Sequence, residues 1–202
     1  MPCIYCPALA SKNESMPAKL NKRDAILNAM LDIVVERGFH EAPMSLVSER
    51  SGASAGVIYH HFASKEEIIH ALYKRVHALK LASFLQGYSA DMDAKEAFIQ
   101  GWSNIYSFHR KHQREMRFLE QYENAGFPCR LDKDSFGKEV ANFIRRFSSR
   151  SKGGVLNDWP PSVLEEMTVG LVARLAKQPR KLPPAMQRSI AEKMWKAVCA
   201  TD

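Results

Sequence analysis

Residues 43–67 run PMSLVSERSGASAGVIYHHFASKEE. Punctuation within the run predicts two short helices and the start of a third. The first spans about Pro43 to Ser51, because proline suits a first helical position and Gly52 stops what precedes it. The second follows Ser54, a natural N-cap, and reaches Phe62. Ile58 and Phe62 are four apart and face a core. The link Gly52-Ala53-Ser54 is short enough for a helix-turn-helix. Ser64 with Glu67 then forms an S-x-x-E capping box ahead of Ile68, Ile69, Leu72, Tyr73, Val76 and Leu79, opening a long helix toward residue 85.

With Ile58 and Phe62 turned inward, Val57, Tyr59, His60 and His61 remain for a nucleic-acid groove. A recognition helix reads base edges with its N-terminal residues. Val57 suits a thymine methyl, and His60 a base or phosphate acceptor. The free amides at Ala55 and Gly56 stand at a positive dipole end that suits a phosphate, and Gly56 lets a backbone come close. Lys65 lies in the first turn of the next helix, where a cation opposes the dipole. That cost makes sense where Lys65 meets a phosphate.

Outward from this run the apolar residues recur at three and four, with no strand-like alternation and no internal repeat. A helix from about Asn21 to Arg37 buries Ile26, Met30, Ile33 and Val34 and stops at Gly38, where Phe39 folds back on its last turn. Beyond residue 85, helices are expected near 92–111, 113–125, 135–151, 160–177 and 184–199, separated by glycine and proline breaks. The fold class is therefore all-α, of about nine helices. The expected organisation is a disordered tail over 1–18, a helix-turn-helix DNA-binding domain over 19–80 (motif 43–62) and a larger helical ligand-binding and dimerisation domain over 81–202. Met16 also suits a start, so residues 1–15 read either as a tail or as a stretch ahead of it.

The 202 residues are 46% hydrophobic and 25% charged, ordinary values for a globular protein. No run approaches the ~20 apolar residues of a spanning helix, and no secretory signal opens the chain, so no membrane association and a cytoplasmic location are expected. The net charge of +7 permits nucleic-acid binding without proving it. Residues 1–80 hold only 10 basic against 8 acidic side chains, so bulk charge does not argue for DNA there. Of Cys3, Cys6, Cys129 and Cys199, only the first two have metal-like spacing, and nothing completes a zinc site. His109 and His112 stand three apart without a clear third ligand. No metal and no cofactor is expected. There is no phosphate loop, nucleophile elbow or H-E-x-x-H, which leaves an enzyme built on His109, His112 and Glu115 poorly supported.

The stretch from Ser54 to Glu66 follows the pattern S-x-G-x-x-Y-x-x-F-x-x-K-E. With the Gly38-Phe39 turn and the helix spacing before it, residues 21–80 resemble the TetR family of bacterial transcriptional regulators. The C-terminal part is similar only in length and helicity. The resemblance implies a homodimer on a palindromic double-stranded DNA operator, usually a repressor released by a small, largely apolar effector. It implies phosphate contacts at Tyr59, His61 and Lys65, and base-facing or backbone-approach positions at Ser54, Ala55, Gly56, Val57 and His60. It further suggests an effector cavity among Trp102, Tyr106, His109, Phe118 and Tyr122, and dimerisation through Val163, Met167, Leu171, Ile190, Met194 and Val198. Two positions depart from the family: Pro43 where Thr or Ser is usual, and Ala55 where Lys is usual. Each removes a phosphate contact, implying weaker or less salt-dependent binding. The low net charge of residues 1–80 and the Pro43 departure also keep open a helix-turn-helix protein that works through a protein partner.

Overall fold

The computed structural model describes residues 21–127, 142–143 and 145–199. The expected tail, Cys3, Cys6, Cys129 and residues 135–141 and 144 of the helix expected over 135–151 lie outside the described residues; the helix does not reach 151 but ends at Arg146, where the chain turns and Ser149 bridges to Leu156. Helix α1 (Lys22–Arg37) is capped by the Asn21 side chain, which accepts from the Arg23 amide at 3.1 Å. Gly38 closes it with its N–H on the Val34 carbonyl at 2.8 Å. Helices α2 (Met44–Ser51), α3 (Ala55–His61) and α4 (Lys65–Phe84) follow. Next come α5 (Ala94–Lys111), capped by Asp93, and α6 (Gln113–Asn124). Helix α7 (161–176) joins an α turn Pro161–Glu165, a π turn Glu166–Gly170 and an α segment Leu171–Ala176 without interruption. Helix α8 (Pro184–Val198) completes the order. Among the described residues there is no strand, only isolated bridges from Leu156 to Ser149 and Cys199.

Pro43 stands one residue earlier than expected. It is the N-cap of α2, with extended backbone and no side-chain cap, and its carbonyl takes the Leu46 and Val47 amides at 3.1 and 3.2 Å. The box at α4 also differs in its return bond. Ser64 Oγ accepts from the Glu67 amide at 3.2 Å, but the Glu67 carboxylate reaches the Ala63 amide at 2.5 Å, one residue further back.

Two cores form, and they do not divide at residue 80. The first gathers α1 to α4 and also Phe118, Leu119 and Tyr122 of α6. Tyr122 stacks on Tyr73 at 4.1 Å, its hydroxyl lies 2.8 Å from His70 Nδ1, and Phe39 meets Phe118 edge-on. Arg114 at the start of α6 pairs with Asp32 of α1 at 2.7 Å. The second core joins α5, α7 and α8 through Ile99, Trp102, Tyr106, Val172, Ala191 and Met194. Helix α4 meets α5 where Gly101 lies under the Phe84 ring; a Cβ there would sit 2.7 Å from the ring edge, so glycine permits the approach. Among the described residues no helix is long and apolar enough to cross a membrane.

Candidate nucleic-acid interface

The turn between α2 and α3 is held by its own short side chains. Gly52 takes the left-handed conformation at φ +61°, which costs glycine nothing. Ser48 Oγ donates to the Ala53 carbonyl at 2.7 Å, Ser51 Oγ accepts from the Ala53 amide at 3.2 Å, and Ala53 is buried. Ser54 Oγ then accepts from the Val57 amide at 3.4 Å and starts α3. Lys22 of α1 adds a bond from its ammonium to the Gly52 carbonyl at 2.8 Å. Its signal in the sequence is only a basic pair, Lys22-Arg23, at the head of α1.

Helix α3 is anchored by Ile58 and Phe62, both buried, while Ser54, Ala55, Gly56, Tyr59 and His60 are exposed. Tyr59 keeps 55% of its surface open. The remaining expected contacts stand less freely. Val57 is half-buried and packs against the first core, which leaves part of its side chain for a groove. His61 is half-buried, with its ring edge on His60. Lys65 is half-buried, and its ammonium donates to the Phe39 carbonyl at 2.7 Å. One of its three N–H groups is thus engaged inside the fold. Arg50 is gripped by both carboxylate oxygens of Glu36, at 2.7 and 2.8 Å, so its charge is committed. A Cβ at Gly56 would meet nothing within 4 Å and its φ is not left-handed, so nothing in the chain itself requires glycine there.

Residues 26–72 match the family model of bacterial regulatory proteins, tetR family. An uncharacterised HTH-type transcriptional regulator of Haemophilus influenzae is 22% identical over 185 residues, covering 90% of this chain and 97% of that protein. The HTH-type transcriptional regulator UidR of Escherichia coli is 42% identical over 62 residues, 31% of this chain and 32% of UidR. Over residues 26–72 the chain thus carries the DNA-binding part of the TetR family. A crystal structure of a TetR family transcription regulator from Marinobacter aquaeolei superposes with a TM-score of 0.73 at 16% identity, covering 89% of this chain and 96% of that one. That likeness carries the fold through the C-terminal helices as well.

Residues 26–72 thus form a helix-turn-helix domain like that of TetR-family transcriptional regulators. The five side chains expected to line one effector cavity do not come together. Phe118 and Tyr122 belong to the first core, because the helix break at His112 turns α6 toward α1 and α4. Tyr106 is buried and stacked parallel to Trp102, with its hydroxyl accepting from the Leu182 amide at 2.9 Å. His109 borders a polar space with Gln113, Arg117, Glu120 and Lys177, where Lys177 and Glu120 pair at 2.6 Å. Burial holds its imidazole down at about 4. Only Trp102 faces an apolar cavity, shared with Phe84, Phe98 and Phe147. His112 stacks on Phe108, and among the described residues no group of three His, Cys, Asp or Glu is placed to hold a metal.

The expected dimerisation set also divides. Met167, Leu171, Ile190 and Met194 line one shallow groove between α7 and α8, rimmed by Glu166, Arg174 and Lys193. Val163 is exposed at the start of α7. Val198 is fully buried within the chain and has no surface left for a second copy, because the bridge at Leu156 and the Asn157 amide on its carbonyl cover the end of α8.

Proposed function

We propose that this chain is a transcriptional regulator of the TetR family, a homodimer that binds a palindromic operator and leaves it when a small, largely apolar effector binds. The observation that carries DNA binding is α3. Two buried anchors hold it down, its opposite face is open, and Gly56 lies on that face without an internal reason to be glycine. A phosphate or base edge approaching the backbone there supplies the reason. Ala55, Val57 and His60 then face base edges, while Ser54, Tyr59, His61 and the two free N–H groups of Lys65 serve the backbone. Lys22, beside the same turn, joins them as a further phosphate contact.

Palindromic sites need two-fold proteins, and the groove of Met167, Leu171, Ile190 and Met194 is the apolar surface suited to self-pairing. Sedimentation equilibrium of the chain and of Leu171→Glu tests this. The wild type is expected as a dimer, and the variant as a folded monomer with operator affinity lost. A wild type that is monomeric yet binds its operator tightly contradicts the two-fold reading. The committed charge of Arg50 and the uncapped Pro43 favour a second reading, in which the exposed face of α3 serves a protein partner. That reading holds if a dimer forms but no DNA sequence is preferred.

A further inference from the structure

Between α5, α7 and residues 143–156 lies an apolar cavity of about 180 Å³. Phe84, Phe98, Trp102, Phe143, Phe147 and Val172 form its walls, and among the described residues no ionisable side chain lines it. A cavity of roughly 150 Å³ with such walls stays dry and takes benzene. Trp102 is 3% exposed, and its indole N–H is buried without a hydrogen-bond partner among the described residues. Buried donors are nearly always paired, so this one is an open place for an acceptor.

The cavity shares Phe147, Leu156, Thr168 and Val169 with a wider space of about 530 Å³ that reaches Ser148, Ser149 and Ser151. Lys152, Asp158 and Glu165 all line that mouth, so its charged residues have no net pull on an anion. Asp158 accepts from the Ser151 amide at 2.9 Å, and bonds from Ser151 hold its carboxyl below the usual range. Thr168 and Val169 of the shared wall belong to the π turn of α7. The flanking Met167 and Leu171 line the groove between α7 and α8. Filling the cavity therefore presses on the turn that carries the groove.

We propose that the effector is an uncharged amphipathic molecule, with an apolar body of about benzene's size in this cavity and one hydroxyl or carbonyl end for Trp102 and the serine mouth. This rests on the ligand-released reading above. A charged group in the cavity would lose its hydration with no partner to replace it.

All three tryptophans report on the site: Trp102 lines the cavity, Trp159 lines the mouth, and Trp195 lies 5.5 Å from Phe98. The test titrates the full chain with hexanol, hexanoate and hexylammonium, which share one apolar body and differ in charge. Tryptophan fluorescence and the melting temperature are read, with operator release in parallel. Hexanol is expected to saturate, to raise Tm and to bind at least about tenfold tighter than either ion. Tighter binding of either ion, or no saturable signal from any of the three, overturns the proposal. Trp102→Phe is expected to lower the apo Tm modestly through the lost ring volume and, beyond that, to weaken hexanol about fivefold, while Trp102→Leu lowers Tm further without a further loss of hexanol selectivity over the two ions. Unchanged hexanol affinity in Trp102→Phe overturns the role of Trp102. Hexanol that binds as expected but leaves DNA bound upholds the ligand class and overturns release by ligand.

Discussion

At Gly56 the fold and the proposed function pull in opposite directions, which makes it the most informative residue of α3. Alanine is a better helix former by roughly 1 kcal/mol, and a Cβ there meets no atom of the chain. Gly56→Ala is therefore expected to raise the melting temperature slightly while weakening DNA binding; a variant that binds DNA as well as the wild type contradicts close backbone approach. Lys65 makes a different prediction. Its bond to the Phe39 carbonyl fixes where the ammonium stands and leaves two protons for a phosphate. Lys65→Ala should weaken binding to all sequences alike and lower the salt slope by about one unit. His60→Ala should instead change preference at one base pair, by about 1–3 kcal/mol. Affinity measured against salt and against single base changes separates the two behaviours.

Among the elements, α6 is where sequence and structure part most clearly. Local signals placed its ends within a residue, as they did for α1 to α4, because caps such as Asn21, Ser54 and Ser64 act on the nearest turn, while α5 starts two residues later than expected, after Asp93. Which core a helix joins is set by the chain's path at its break, and no local residue encodes that. Phe118 and Tyr122 thus read as cavity candidates from composition and prove to be the link between the C-terminal helices and the first core. Phe118→Ala is expected to cost about 3–5 kcal/mol in chemical denaturation. A loss near zero would mean that α6 does not carry the first core. The π turn of α7 was equally hidden, since its α-like residue pattern continues on both sides. The cavity escaped the sequence because its wall is assembled from distant stretches, Phe84 of α4, Trp102 of α5, Phe143, Phe147 and Leu156, and Val172 of α7, which no local pattern brings together. Acid sensitivity belongs at this scale too. Burial holds His77 and His109 down at about 4, against about 6.5 in an unfolded chain. The unfolded state binds more protons between those values, so this stability is complete above about 6.5 and is lost as pH falls toward 4. The urea midpoint should drop on acidification from neutral pH, and drop less in His109→Phe; a midpoint that rises contradicts the assignment.

In the molecule as a whole, two cores meet along α4 and α6, and the DNA-facing helix lies in one while the apolar cavity and the groove lie in the other. Among the described residues those two helices are the route for a signal between them. The salt links Arg114–Asp32 and Lys177–Glu120 tie α6 to either side. A ligand that favours one arrangement of the pair shifts the spacing of two recognition helices in a dimer, and spacing of about 34 Å is what an operator reads. The account depends first on sequence-specific, two-fold DNA binding. Selection of a random double-stranded DNA pool by the purified chain, sequenced after several rounds, measures it directly. The account predicts an enriched palindrome with half-sites about one helical turn apart. A pool that stays random, held only by salt-sensitive background binding, would contradict it.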